Sequence, residues 1–373
     1  MKKKGKVFVG LSGGVDSSVS CALLQKEGYE VTAVFIKTWH PDFLPCTWKE
    51  DRLDAMRVAA HLNIPFMTLD LEKEYKENVA DYMIEEYKKG RTPNPDVMCN
   101  KNVKFGGFLK YALEQGADFV ATGHYARRRL KIKDLRFKNT DGSTRLTAGE
   151  YEMLAGKDKN KDQSYFLWTL TQNQLKHILF PVGDIEKPEV RRLAKKFGLP
   201  TAEKKDSQGV CFLGKLDMTE FLQNYEEKKR GNVLNEKGEA IGWHDGAIFY
   251  TLGSRHGFTI TKKGSNEAPY FIIAKDILAN TLTVANKEKG SLKGKGKQTV
   301  LLENVNWISG VTPVSEKIFF ARTRYRAELF PCKISLIDKK IQVKFLDPQE
   351  PEAPGQSLVV YDGEECLGGG VIV

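Results

Sequence analysis

The sequence predicts an α/β fold, a doubly wound parallel sheet, followed by a smaller mixed region and a C-terminal all-β module. Three observations carry this. Strand-like and helical patterns alternate through roughly the first 125 residues, the rhythm of stacked βαβ units. A glycine-rich loop, Ser12-Gly13-Gly14-Val15-Asp16-Ser17, stands between an apolar run (7–11) and a helical pattern (19–26), where such sheets bind phosphate. From about residue 298 onward, short strand patterns recur at the spacing of a small barrel or sandwich. A chain of 373 residues exceeds one ordinary core, so two or three domains are expected.

Taken in order, strand patterns occupy residues 6–11, 30–37, 65–71 and 118–122, and helical patterns 17–27, 49–62, 75–89 and 101–115. Gly28, Gly90 and Gly116 follow three of these helices, where a left-handed cap is cheap. Ligand is then expected at the carboxyl ends of the strands, with contributions from residues 35–37 and from Thr122-Gly123-His124. Residues 127–150 hold eight Lys/Arg against three acids, with Asp141-Gly142 as a turn signal, and read as an exposed basic hairpin or loop. Helical patterns return at 172–179 and 188–197. Residues 215–288 are mixed and glycine-rich, with short strands such as 246–252 and 270–274. The all-β region then runs through 299–307, 317–325, 332–337, 341–345, 357–361 and 370–373.

The glycine loop narrows the chemistry. Bare backbone N–H groups can close on phosphate there, and the helix N-terminus adds partial positive charge. A GxxxxGK[ST] loop would carry a lysine for the β- and γ-phosphates, and this loop has none. It offers Asp16 instead, which suits Mg²⁺ bridging pyrophosphate and a split of ATP between its α- and β-phosphates. The plain alternative is a tight turn with Asp16 or Ser17 as an N-cap.

Composition is that of a globular protein, 41% hydrophobic and 28% charged. No apolar run is long enough to span a bilayer, and Met1-Lys2-Lys3-Lys4-Gly5 leads straight into the first strand with no room for a signal peptide, so a cytoplasmic location and no membrane partner are expected. A net charge of +10 and a pI near 9.1 make a polyanionic partner plausible. The six cysteines (Cys21, Cys46, Cys99, Cys211, Cys332, Cys366) form no CxxC pair, so neither a zinc site nor a disulfide framework is suggested. Cysteines so spaced are ordinarily reduced core residues unless a local motif activates one.

Four segments stand out. In Arg91-Thr92-Pro93-Asn94-Pro95-Asp96-Val97-Met98-Cys99-Asn100, two prolines bar helix and predict a shaped loop, with Cys99 at the start of the next helix. There the dipole favours thiolate, unless Cys99 simply packs inward. In Lys204-Lys205-Asp206-Ser207-Gln208-Gly209-Val210-Cys211-Phe212, two lysines would lower a thiol pKa and Gly209 permits an unusual backbone path. The polar cluster Asn160-Lys161-Asp162-Gln163-Ser164-Tyr165-Phe166 could display side chains to a ligand, or Asp162 or Ser164 could merely cap a helix. Arg322, Arg324 and Arg326 alternate in a predicted strand, a stripe on one face that can track phosphates or simply protect an edge.

Together these motifs resemble the tRNA-specific 2-thiouridylase family (MnmA/TrmU) over essentially the whole chain. The loop alone would place the chain only among PP-loop ATP pyrophosphatases. The combination is more selective: GLSGGVDSS (10–18), GRTPNPDVMCNKNVKF (90–105), ATGHYAR (121–127), NKDQSYFL (160–167), EKKDSQGVCFLG (203–214), RTRYR (322–326), PGQS (354–357) and CLGGG (366–370). The resemblance implies a PP-loop domain over 1–214, a central domain over 215–288 and a C-terminal β-barrel over 289–373. It implies that Gly10, Leu11, Ser12, Gly13, Gly14, Val15, Asp16 and Ser17 hold the ATP phosphates, with Ile36 and Gly123 flanking the adenosine. Asn94, Pro95 and Asp96 would approach the target base. Lys161, Asp162, Gln163, His124, Arg324, Tyr325 and Gln356 would contact tRNA. Cys211 would carry a persulfide, and Cys99 would be its partner thiol and nucleophile, the two ending as a disulfide. Three departures stand. The family usually has methionine at Ile36. Its Gly-Gln-Arg-Lys-Gly run is here Gly253-Ser254-Arg255-His256-Gly257, so no tRNA role is carried to Ser254 or His256. The basic segment 127–150 is longer than the family's and carries no assigned role.

The implied reaction is thiolation of the wobble uridine (position 34) in the anticodon arm of tRNA. O2 attacks the α-phosphorus of ATP, pyrophosphate leaves with Mg²⁺, and sulfur displaces AMP. A persulfide-carrying donor protein and an external reductant would be partners. The alternatives are an ammonia-using PP-loop synthetase, which would not need two reactive cysteines, and a non-catalytic tRNA-binding relative, which would release no pyrophosphate.

Overall fold

The computed structural model describes residues 4–44, 48–131, 136–138, 144–146, 150–206, 218–261, 269–286, 298–313, 316–338, 340–349 and 353–373. Its N-terminal part is a parallel sheet with helices on both faces. Strand β1 (Lys6–Gly10) runs into helix α1 (Val15–Lys26), followed by β2 (Glu30–Lys37), α2 (Trp48–His61), β3 (Phe66–Asp70) and, after two long helical stretches, β4 (Phe119–Ala121). The order is β3-β2-β1-β4, and Ile178–Leu179 pairs in parallel beyond β4. Strand order therefore reverses between β1 and β4, and the glycine loop leaves β1 at that switch point, where such sheets bind ligand.

Alternation along β1 splits the core in two. Val7 and Val9 pack with Val19, Leu24, Val58 and Ala59 on the α1/α2 face, whereas Phe8 packs with Met83, Val103 and Phe108 on the other. The first opposite-face rod is built from Glu72–Tyr75, Lys76–Asp81 and Tyr82–Lys88. The second is built from Pro95–Met98, Cys99–Phe108 and Leu109–Glu114, and its middle ten residues are wound as π-helix. Wide turns of that kind are frequent at functional sites.

The C-terminal module is a closed barrel. Strands Thr299–Trp307, Lys340–Phe345, Phe330–Ile337, Phe319–Arg322, Ser357–Asp362 and Glu365–Ile372 pair in that order, and the last pairs back with the first. The central region is a five-stranded sheet running from Thr259–Ile260 to Tyr270–Asp276. The basic segment forms a hairpin: Ala126–Lys131 pairs with Glu150–Ala155, and Leu154 pairs on to Glu365, so its base extends the barrel sheet. Among the described residues, no helix is long and apolar enough to cross a membrane.

Four local expectations need correction. Helix opens at Pro95, not at residue 101, because Asn94 caps it: its Oδ1 accepts from Val97 N at 3.3 Å with proline at the first helical position. The pattern at 172–179 breaks after Leu175 into the short strand Ile178–Leu179. Residues 246–252 hold a 3₁₀ turn, Ala247–Phe249, in place of a strand. The strand expected over 317–325 ends at Arg322, and Arg326 has φ +61°, so the three arginines share no strand face.

Candidate functional site

The phosphate loop is shaped by close approaches that only glycine allows. Gly13 has φ +74°, and a Cβ there would lie 2.3 Å from the Asp51 carbonyl oxygen of α2. Gly123, just past β4, would put a Cβ 2.7 Å from Ser17 N. Inside this cradle Gly14 is the N-cap of α1 and no side chain caps the helix. Ser17 Oγ instead donates to Gly14 O at 3.1 Å and lies 3.2 Å from Ser12 Oγ. Leu11 and Val15 are buried, Leu11 N donating to Val34 O at 2.8 Å, which anchors the loop to β2. Behind it, Gly10 faces Ile36 Cδ1 at 3.8 Å and Phe108 Cε1 at 3.6 Å from the position of its missing Cβ.

Asp16 projects from the first turn of α1. Its Oδ1 accepts from Tyr125 Oη at 2.8 Å, and Lys187 Nζ lies 2.7 and 2.8 Å from its two oxygens. Lys187, 171 positions away at the start of helix Lys187–Lys196, brings a lysine to the loop's acid. It also bridges to Asp206 at 2.9 Å. Burial opposes ionisation of Asp206, but Lys161 and Lys187 outweigh it and hold its carboxyl far below the usual range. Lys204 Nζ is held by Asp51 and Asp54 at 2.8 and 2.7 Å. Cys211, and with it residues 207–217, lies outside the described residues.

Cys99 sits a full turn beyond the Asn94 cap and is 2% exposed. The helix dipole falls off within the first turn, so it gives this thiol less help than the sequence suggested. Asp96 occupies the second helical position. Asn100, the residue after Cys99, donates through Nδ2 to Phe166 O at 3.2 Å, tying this helix to the 160–166 segment.

The chain is similar to known proteins. Residues 5–215 match the family model described as tRNA methyl transferase HUP domain, 219–286 the tRNA methyl transferase PRC-barrel domain and 297–372 the aminomethyltransferase beta-barrel domain. The chain is 45% identical over 373 residues to the tRNA-specific 2-thiouridylase MnmA of Shewanella amazonensis, covering 98% of this chain and 94% of that one. It belongs to the MnmA 2-thiouridylase family. The MnmA of Thiobacillus denitrificans is 43% identical over 371 residues, covering 98% and 99% of the two chains. Among solved structures, the U34-tRNA thiolase NcsA from Methanococcus maripaludis overlaps 60% of this chain and 67% of its own at 18% identity and a TM-score of 0.34.

In this MnmA-family chain the expected tRNA residues fall into two groups. Lys161, Gln163, Arg324, Tyr325 and Gln356 stand at or near the surface. Tyr325 packs on Phe166 with ring centroids 4.7 Å apart, Arg326 Nε donates to Asn160 O at 2.8 Å, and Arg324 and Gln356 line an open concavity with Thr251 to Ser254. Gln163 is fastened both ways to Tyr125, its Oε1 accepting from Tyr125 N at 2.9 Å. Asp162 and His124 are interior. Asp162 is 4% exposed and its carboxylate accepts from Gly156 N, Ser164 N and the buried Arg322 guanidinium. His124 is 8% exposed between Phe105 and Phe180, bonded to Thr122 Oγ1 at 2.7 Å, and burial, then Lys104, pushes its pKa well down, so it is neutral.

The cradle fits the phosphates of a nucleotide: glycine backbone at the switch point, a helix start with no side-chain cap, and one carboxylate beside one lysine. Among the described residues no three His, Cys, Asp or Glu side chains cluster as a metal cage. A bound magnesium ion would take Asp16 as its protein carboxylate, with phosphate oxygens and water as further ligands. Sequence reading missed Lys187. Its only local signal is a lysine before Pro188 at a helix start, and partnership with Asp16 needs the folded sheet.

Proposed function

We propose that this chain is an ATP-dependent tRNA sulfurtransferase that replaces O2 of the wobble uridine (position 34) with sulfur. Membership in a family whose named relatives are tRNA 2-thiouridylases supports this reading. The observation that carries it is the packing of the Cys99 helix, through Phe108, against the end of β1 from which the phosphate loop springs. On this reading the helical stretch that packs beside the cradle also carries Cys99 and the Asn94-Pro95-Asp96 turn, which would approach the target base.

In the proposed reaction, uridine O2 attacks the α-phosphorus of ATP and pyrophosphate departs with the bond's electron pair. The cradle's N–H groups and Lys187 stabilise that charge, and bound Mg²⁺ would supply further neutralisation. The terminal sulfur of a Cys211 persulfide then adds at C2 and AMP leaves. Cys99 accepts the remaining bond to Cys211, so a disulfide forms and an external dithiol must reduce it. Whether Cys99 acts at this step or first frees hydrosulfide from the persulfide, the electron balance is the same. A persulfide-carrying protein would load Cys211. The uridine must leave its stack to reach the site, and Lys161, Arg324 and Tyr325 would hold the anticodon arm.

Mixing the protein with ATP, Mg²⁺ and unmodified tRNA should release pyrophosphate only when tRNA is present. Cys211→Ser should retain that release and lose all 2-thiouridine. Thiolation persisting in Cys211→Ser would overturn the persulfide assignment, and absence of tRNA-dependent pyrophosphate would overturn the reading itself.

A further inference from the structure

Gln356 belongs to the barrel, in the turn before Ser357–Asp362, yet its amide faces another domain. Nε2 donates to the Thr92 carbonyl at 2.8 Å and reaches that of Pro93 at 3.3 Å. The backbone doubles the contact, since Thr92 N donates to Pro354 O at 2.7 Å. Between them Gly355, at φ +94°, lets the turn close: a Cβ there would lie 2.9 Å from Thr92 N. Two further fastenings flank these. Thr92 Oγ1 meets Thr251 Oγ1 of the central region at 3.1 Å, and the Arg91 guanidinium pairs with Glu303 of a barrel strand.

The clamped segment has little means of holding itself. Pro93 and Pro95 bring no N–H groups, which thins the segment's own hydrogen bonding, and the carbonyls of Thr92 and Pro93 take their donor from Gln356. Immediately after it, Asn94 caps the helix, Asp96 follows at the second helical position and Cys99 a turn later. The direction in which the helix leaves the clamp fixes where Asp96 and Cys99 stand relative to the phosphate loop. A displacement of about 1 Å at such a centre can cost about a hundredfold in rate.

We infer that Gln356 is a positioning residue, acting through Thr92 and Pro93 on the helix start that carries Asp96 and Cys99, so that the C-terminal barrel sets the geometry of the thiolation site. The inference rests on the proposed function, but one arm of its test does not. A residue that only touched tRNA would act on binding. A positioning residue acts on the bound-state rate.

The experiment compares wild type with Gln356→Ala and with Gln356→Glu, which keeps the shape and loses the donor. Single-turnover thiolation of saturating tRNA should fall about tenfold or more in both, while the tRNA Kd of Gln356→Ala stays within about twofold. In the reduced proteins, iodoacetamide labelling of Cys99, resolved by peptide mass spectrometry, should speed up by about tenfold, with buried Cys21 and Cys332 unchanged. Gly355→Ala, which presses a methyl on the Thr92 backbone, should shift both readouts the same way. Weaker tRNA binding with an unchanged bound-state rate and unchanged Cys99 labelling would overturn the inference, as would equal speeding at all three cysteines. If wild type fails to thiolate tRNA, the proposed function falls while the labelling arm still decides the clamp.

Discussion

At the residue scale, the balance of charge around Asp16 would, in the proposed reaction, let a loop without lysine manage pyrophosphate. Lys187 and Tyr125 share its carboxylate, and Lys187 reaches on to Asp206. When phosphates arrive, a lysine already within 3 Å of the loop's acid needs little reorganisation to meet them. Lys187→Met should therefore slow tRNA-dependent pyrophosphate release by about a hundredfold, and Lys187→Arg should recover part of it. An unchanged rate in Lys187→Met would remove it from the chemistry. Asp16 stands out in the sequence because it closely follows Gly13 and Gly14 within one motif. Lys187 was not, because its partner is set by the sheet and by the placement of helix Lys187–Lys196.

At the element scale, the helix opening at Pro95 shows how proline was misread. Pro bars helix behind it, yet at the first helical position its missing N–H is one that would go unpaired anyway, and Asn94 supplies the cap. Asn94→Ala should destabilise the fold by about 1 kcal/mol, read as a lower urea midpoint at unchanged slope. An unchanged midpoint would mean that the clamp on Thr92 alone fixes this start. A second element carries a pH signature. On Tyr270–Asp276, Lys275 donates to Tyr250 O at 2.6 Å, and burial pushes its pKa down to about 8. Between pH 8 and the unfolded value of 10.5 the unfolded chain holds a proton that the native chain has released, so stability rises with pH across that window. Melting temperatures of wild type and Lys275→Met should converge or cross over that range. Parallel curves would contradict the shifted lysine.

At the scale of the whole molecule, domain order and fold class were legible from periodicity: βαβ first, mixed next, all-β last. How the domains fasten was not. Arg322 looked like one member of an exposed stripe, since strand alternation cannot tell an outward face from one covered by another domain. In the structure it is 7% exposed, pairs with Asp162 and lies against Tyr361 Oη, while Tyr165 Oη donates to the carbonyls of Thr323 and Ser357. The barrel is thus bolted to the 160–166 segment through a buried ion pair. Burial opposes the charge on Arg322, but Tyr361 and Asp162 overcome it and raise its pKa. Removing one partner strands the other, so Asp162→Leu should destabilise by about 3–5 kcal/mol, and the double variant with Arg322→Met should regain much of it. An additive double variant would show that the pair is not coupled. Sequence motifs marked both Asp162 and the arginines, but as surface contacts, because a motif records which residues matter and not which way they face.

The measurement that tests the central claim most directly is nucleoside mass spectrometry of unmodified tRNA after incubation with the purified protein, ATP, Mg²⁺, a dithiol and a persulfide donor. The account predicts 2-thiouridine at position 34, formed only with ATP present and absent with Asp16→Asn. Uridine left intact there by fully loaded, ATP-supplied protein, or thiolation proceeding without ATP, would contradict it.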